Sequence, residues 1–185
     1  MMNTNRLSEA MQETLIKQMT KENQASQTYL SLGIWADTQG YGGIANFLFR
    51  HAQEERNHSI KIMQYILERG GTPRVETVVA PNKFPKTITE CFEMVLEHEI
   101  DNTHAIYRIV NQSMAEQDWA TWNFAQWFVK EQVEEEKLAL NLIDKLKIAG
   151  GDRASDESLF ALDKYLEQAP DEVTLAEEAT AEKPS

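Results

Sequence analysis

The positions of proline and glycine limit what this chain can fold into. All five prolines and seven of the eight glycines lie outside four windows, which are residues 6–38, 44–69, 88–116 and 119–149. Because proline breaks a helix and glycine weakens one, each window is expected to form one uninterrupted helix. At ~1.5 Å per residue these helices would be roughly 40–50 Å long, a length typical of four-helix bundles. The sequence therefore predicts an all-α fold.

The lengths of the connections predict how the four helices run. Residues 39–43 and 117–118 can only reverse the chain, so helices one and two are expected to be antiparallel, as are helices three and four. Residues 70–87 are long enough to cross the full height of the bundle. This long crossover predicts that helix three runs parallel to helix two.

The chain beyond the fourth window is expected to hold one more helix and a tail. Ser155 can cap a short fifth helix over residues 156–168, which carries acidic residues in its first turn. Residues 169–185 are rich in acids and poor in core-forming side chains, which predicts an acidic disordered tail. Residues 1–168 are predicted to form one domain.

Composition excludes several classes of function. The formal net charge is −12, whereas binding to nucleic acid or to an anionic membrane surface requires a basic footprint. The only cysteine is Cys91, so neither a disulfide within the chain nor a thiolate metal cluster can form. We find no signal peptide and no run of roughly 18 apolar residues that could span a bilayer. A cytoplasmic location is expected.

Acidic residues interrupt the apolar stripe of every predicted helix near its middle. Followed at intervals of three and four residues, the interruptions are Glu22 in helix one, Glu55 and His58 in helix two, Glu99 in helix three, and Glu131 and Glu135 in helix four. Gln132 and Glu134 flank the stripe of helix four, and Glu54 flanks that of helix two. The interruptions fall at a similar height in all four helices, which predicts one polar layer across the bundle.

A multivalent cation explains such a layer better than chance does. Unpaired ionised carboxylates in a bundle core cost several kcal/mol each, and no lysine or arginine lies in these stripes to neutralise them. The spacing Glu55-x-x-His58 directs both side chains from one face of a helix. Oxygen ligands with one imidazole favour iron or manganese over zinc or copper. Alone, a Glu-x-x-His pair more often marks a solvated face, so the prediction depends on the convergence of four helices.

Other candidate residues have a simpler interpretation. His51 lies on the inner stripe and is read as a core or boundary histidine, whereas His98 and His104 are expected to face solvent. Tyr29 and Trp127 fit the pattern of core aromatic residues.

Three sequence segments together resemble the non-haem bacterial ferritins. They are the run HAQEERNH over residues 51–58, Glu99 within HEID, and the run EQVEEEKL over residues 131–138. The resemblance covers about residues 7–167. It implies a ferritin-like four-helix bundle with a long crossover between helices two and three and a short fifth helix at the C-terminus.

The resemblance also implies a set of iron ligands. Residues matching Glu22, Glu55 and His58 hold a first iron, and those matching Glu55, Glu99 and either Gln132 or Glu135 hold a second. A third, looser iron site corresponds to Glu54, Glu131, Glu134 and Glu135. A tyrosine matching Tyr29 lies beside this di-iron centre, so the expected catalytic residues are Glu22, Glu55, His58, Glu99 and Tyr29.

The function implied by the resemblance is iron storage with ferroxidase activity. Fe²⁺ would be oxidised with O₂ or H₂O₂ and stored as a ferric oxyhydroxide mineral inside a homo-oligomeric shell of 24 subunits. Bacterioferritins carry a second Glu-x-x-His on helix four, where this chain has Gln132-x-x-Glu135, so no haem is expected. Two alternatives stay open: a non-catalytic subunit of a mixed shell, and a di-iron peroxidase or oxygenase.

Overall fold

The computed structural model describes residues 4–168, and over that range its regular secondary structure is all helical, with no strand. Its elements are α1 Glu9–Thr38, α2 Gly42–Glu68, α3 Ile88–Ala115, α4 Trp119–Ala149, a 3₁₀ turn Gly151–Arg153 and α5 Asp156–Glu167. The prediction of an all-α fold with four long helices and a short fifth one is confirmed. The predicted tail, residues 169–185, lies outside the described residues.

Side-chain caps set where most of the helices begin. The backbone N–H of Met11 donates to Ser8 Oγ at the start of α1, at 2.9 Å. Thr87, Asp118 and Ser155 accept the equivalent bond at the starts of α3, α4 and α5. Each cap satisfies a donor that the helix itself leaves unpaired. The predicted cap Ser155 is therefore confirmed.

Hydrogen bonds between helices define their directions. Between α1 and α2, Asn23 Nδ2 donates to Ser59 Oγ at 2.7 Å, and Ser26 Oγ donates to the carbonyl of Ala52 at 2.6 Å. Residue numbers therefore increase along α1 while those of the bonded residues in α2 decrease, so the two helices are antiparallel.

Helix α1 runs antiparallel to α3 as well. Thr14 Oγ1 donates to Gln112 Oε1 at 2.7 Å, and Gln18 Nε2 donates to Asn102 Oδ1 at 2.7 Å. Since α2 and α3 both oppose α1, they are parallel to each other. The connection over residues 71–85 has no regular secondary structure, which confirms the predicted long crossover.

Two apolar clusters occupy the two ends of the bundle. One contains Leu48, Phe92 and Leu142 together with Leu162 and Leu166 of α5. The other contains Leu15, Ile62, Ile106 and Phe128. In each long helix, the polar side chains that interrupt the apolar stripe lie between the two segments that contribute to these clusters. No helix described between residues 4 and 168 is long and apolar enough to cross a membrane.

Helix α5 packs against the first turn of α2 and forms a hydrogen bond with it. The N-cap position of α2, Tyr41, provides no side-chain bond, and Asp163 of α5 replaces it by accepting from the backbone N–H of Ile44 at 2.8 Å. The contact needs glycine at position 43, since a Cβ added there would lie 1.9 Å from the carbonyl oxygen of Asp163. A Cβ on Gly42 would meet nothing within 4 Å.

The substitution Gly43→Ala should therefore destabilise the protein by about 1–3 kcal/mol through overpacking, because backbone atoms of α5 must move. The matched variant Gly42→Ala removes the same glycine entropy from the same helical turn without a clash. Chemical denaturation of both variants measures the difference. Equal stability of the two variants would show that α5 does not dock as described.

Candidate metal centre

A layer of buried polar side chains separates the two apolar clusters. Its members come from α1, α2, α3 and α4, and each is at most 9% exposed: Glu22, Glu54, Glu55, His58, Glu99, Glu131, Gln132 and Glu135. The predicted polar layer is therefore present, and it crosses the bundle from one helix pair to the other.

The first group in this layer consists of Glu22, Glu55 and His58. One potential ligand atom of each lies within 4.8 Å of the others. Glu55 Oε2 and His58 Nδ1 are buried without a hydrogen-bond partner among the described residues, and they lie 3.6 Å apart. Unsatisfied buried polar atoms are costly, so two of them facing one space fit a cation between them.

Glu99 is held between α1 and α4. The Tyr29 hydroxyl donates to Glu99 Oε1, and Gln132 Nε2 donates to Glu99 Oε2 at 3.1 Å. Gln132 Oε1 in turn accepts from Asn102 Nδ2 at 3.2 Å. Tyr29 is buried, as a core aromatic residue should be, but its hydroxyl is directed at the polar layer. Gln132 thus orients Glu99 in the metal-free protein.

Two further groups share Glu54. His51 Nδ1 lies 3.5 Å from Glu54 Oε2 and 3.7 Å from Glu135 Oε2. Ligand atoms of Glu54, His58 and Glu131 also lie within 4.8 Å of one another. Three of the four residues expected at the third iron site, Glu54, Glu131 and Glu135, therefore belong to these two groups, which meet at Glu54.

Glu134 is the expected ligand that the structure does not bring to the layer. Its side chain is 54% exposed and lies 3.5 Å from Lys130 Nζ, one turn earlier on α4. At about 100° per residue, Glu134 lies about 60° around α4 from Glu131 and about 100° from Glu135, at the edge of their buried side. Glu134 therefore lies apart from the buried layer, and its role as a ligand of the third site stays a prediction.

The histidine predictions hold for two residues and fail for one. His51 is buried and His104 is exposed, as predicted. The prediction that His98 faces solvent was wrong, because its Nε2 is buried and its ring meets the Tyr29 ring edge-on with 6.0 Å between centroids. Packing of α1 against α3 covers this side of α3, which periodicity along α3 alone does not reveal.

Sequence reasoning missed two residues that hold Glu22. Gln18 Nε2 donates to Glu22 Oε1 at 2.7 Å, and Asn102 Nδ2 donates to Glu22 Oε2 at 3.1 Å. Both amides are buried, at 3% and 0% exposure. Their signal was the spacing, since Gln18 precedes Glu22 by one turn and Asn102 follows Glu99 by one turn.

Burial controls the protonation of the layer. It raises the pKa of Glu55 well above its ordinary value, and the charges of Glu99 and Glu22 raise it further. Burial also raises the pKa of Glu99 to about 7, against the opposing hydrogen bonds from Tyr29 and Gln132. The pKa of His58 is lowered by burial, so its imidazole is neutral and able to bind a metal. Without a cation, the layer therefore retains protons that a metal would displace.

The raised pKa of Glu99, about 7 against an ordinary 4.5, predicts how the stability of the metal-free protein depends on pH. Glu99 binds its proton more tightly in the folded state, so its contribution is complete below pH 4.5 and is lost as the pH rises through 7. Glu99→Gln removes this loss. The free energy of unfolding of the variant relative to wild type should rise by about 2–3 kcal/mol between pH 4.5 and 8.

Denaturation in the presence of a chelator measures this difference. The buried histidines titrate in both proteins, so their effect cancels in the comparison. A difference that stays constant over this pH range would contradict the raised pKa of Glu99.

Comparison with known proteins identifies the family. Residues 12–149 match the family model described as a ferritin-like domain. A bacterial non-heme ferritin of Escherichia coli is 39% identical over 154 residues, which cover 83% of this chain and 92% of that protein. The bacterial non-heme ferritin of Campylobacter jejuni is 34% identical over 160 residues, covering 86% of this chain and 94% of that one.

Solved structures give the same result. The open pore ferritin of the hyperthermophilic archaeon Archaeoglobus fulgidus superposes with a TM-score of 0.84 at 37% identity, covering 89% of this chain and 98% of that one. Both the sequence relatives and this structure span nearly the whole described bundle. This chain belongs to the ferritin family.

Proposed function

We propose that this protein stores iron and oxidises Fe²⁺ to Fe³⁺ at a di-iron centre within each subunit. The observation that carries the proposal is the position of Glu55. One of its oxygens faces His58 without a hydrogen-bond partner among the described residues, while its pKa responds to Glu99, Glu22 and Glu135 from three other helices. A carboxylate placed between those groups can bridge two cations.

The ligand positions follow from this placement. Glu22, Glu55 and His58 would hold the first Fe²⁺, and Glu55 and Glu99 would hold the second together with Gln132 or Glu135. Glu54, Glu131 and Glu135 would form a third, looser iron site, with His51 beside them and with Glu134 as a more exposed fourth ligand. Iron is both the substrate and the cargo of these sites.

The proposed reaction balances in electrons and protons. Two Fe²⁺ ions each give one electron to O₂, which takes up two protons and leaves as H₂O₂. With H₂O₂ as the oxidant, the same two electrons and two protons yield two water molecules. Glu55 and Glu99 release protons when they bind Fe²⁺, because burial has raised their pKa values. Hard anionic carboxylates then stabilise the Fe³⁺ product.

Residues around the centre position the ligands. The Tyr29 hydroxyl and the Gln132 amide fix the Glu99 carboxylate, and Gln18 and Asn102 fix that of Glu22. The apolar clusters on both sides exclude bulk water from the layer, which strengthens the attraction between carboxylates and cations.

Storage is proposed to occur inside a shell of 24 identical subunits in the cytoplasm, as a ferric oxyhydroxide mineral. The family supports a shell, and α5 supports subunit contact, because Phe160 and Tyr165 remain 63% and 52% exposed on it. Such aromatic side chains on a short helix are typical of an interface.

The variant Glu55→Ala should lose rapid Fe²⁺ oxidation by about 100-fold or more, because both iron positions lose a ligand. Its metal-free form should be as stable as wild type or more stable, since the substitution removes a buried acid that is repelled by its neighbours. Stopped-flow oxidation and thermal unfolding of the metal-free protein measure the two effects. The control is Glu68→Ala, an exposed acid on the same helix, which should keep wild-type oxidation.

Two results would contradict the proposal. Oxidation by Glu55→Ala at the wild-type rate would remove Glu55 from the centre, and severe destabilisation would make it a structural residue. Sedimentation after aerobic loading separates the alternatives for wild type. A shell-sized particle holding far more than three irons per subunit supports storage, whereas a small particle with two or three supports a di-iron redox enzyme.

A further inference from the structure

A cationic cavity lies between α1 and α3 and is lined in part by Gln18. Its volume is about 310 Å³, and its polar lining is Thr14, Lys17, Gln18, Lys21, Arg108 and Gln112. Among the described residues no acid lines this cavity. Three cations around one cavity are unexpected in a chain whose net charge is −12.

Two acids beside the cavity are paired with cations, one with the lining residue Lys21 and one with Arg74. Asp101 accepts from Lys21 at one edge of the cavity. Glu13, whose charge interacts with Lys17, receives two hydrogen bonds from Arg74, at 2.6 and 2.8 Å. Within residues 4–168, Lys17 and Arg108 form no direct ion pair; they act on Glu13 and Asp101 only through longer-range charge interactions, so their hydrogen-bond donors are available to a ligand.

The cavity is held open by bonds between the two helices. Thr14 bonds to Gln112 at one end, and Gln18 bonds to Asn102 at its floor, each at 2.7 Å. Gln18 is 3% exposed and cannot move freely, because it also donates to Glu22. A binding site whose side chains are already ordered loses less conformational entropy when a ligand binds.

We propose that this cavity binds a tetrahedral oxyanion of the phosphate class. The Arg108 fork and the Lys17 ammonium group are donors of the kind that recognises phosphate oxygens, and the absence of acidic lining residues in the described structure removes the main source of repulsion. The volume lies at the lower end of the range for small-molecule sites. It accommodates inorganic phosphate with water or the head of a small phosphate monoester.

This site is separate from the proposed metal centre and does not depend on it. Gln18 is the only polar residue in the described structure that both lines the cavity and donates to a proposed iron ligand. The test therefore uses the full-length metal-free protein, so that neither iron nor mineral can bind phosphate. It leaves Gln18 intact.

Titration of inorganic phosphate, followed by calorimetry and ³¹P NMR, should show one saturable site per subunit. The double variant Lys17→Gln/Arg108→Gln should bind phosphate at least about tenfold more weakly, since it loses two charge-assisted contacts. The control is Lys83→Gln/Lys137→Gln, which changes net charge equally at exposed positions away from the cavity. The control should bind phosphate with an affinity within about twofold of wild type, because it keeps the side chains of the cavity. Its loss of net charge equals that of the test variant, so long-range electrostatics alone cannot explain a difference between the two.

Parallel titration of glycerol 3-phosphate identifies the source of the phosphate group. Tighter binding of the ester than of phosphate indicates a monoester ligand, and equal or weaker binding indicates the free ion. Absence of saturable binding of either compound overturns the proposal. Equal losses in the two double variants also overturn it, because binding would then follow net charge rather than this cavity.

Discussion

The rest of the structure depends on one costly arrangement, a layer of carboxylates buried across the middle of a helical bundle. Burying ionised groups without partners opposes folding, and the raised pKa values of Glu55 and Glu99 reflect that opposition. The two apolar clusters on either side of the layer stabilise the fold against it. The layer itself thus opposes stability, which fits its proposed role in binding cations.

Amides hold the layer in a defined geometry before any cation arrives. Gln18, Asn102 and Gln132 form a chain of hydrogen bonds that connects α1, α3 and α4 and reaches both Glu22 and Glu99. Neutral amides can donate hydrogen bonds to the carboxylates without neutralising their charge. A lysine would neutralise the carboxylates and repel the cation. Within the layer, Glu55 Oε2 and His58 Nδ1 are buried without a hydrogen-bond partner among the described residues, at the point where a cation fits.

The sequence predicted the fold and most of the layer because both depend on periodicity. Proline and glycine positions defined the helices, and the interrupted stripes located Glu22, Glu55, His58, Glu99 and Glu135. Side chains at the edge of a stripe were not predictable in the same way. Burial of His98 depends on how closely α1 packs, and Glu134 lies on the exposed side of α4 although a family motif contains it. The supporting amides were missed because a neutral amide one turn from an inward acid, such as Gln18 or Asn102, does not stand out until the acid's own role is known.

Anaerobic titration of Fe²⁺ into the metal-free protein most directly tests whether cations resolve the repulsion in the carboxylate layer. Calorimetry at pH 6.5, in buffers with different ionisation enthalpies, measures the number of ions bound and the number of protons released. At this pH Glu99, with a pKa of about 7, still holds much of its proton, and Glu55 does so as well. At least two Fe²⁺ ions should bind per subunit with release of about one to two protons, and the release should fall as the pH is raised above 8. Binding of fewer than two ions, or binding without proton release, would contradict a layer whose buried acids are neutralised by paired iron.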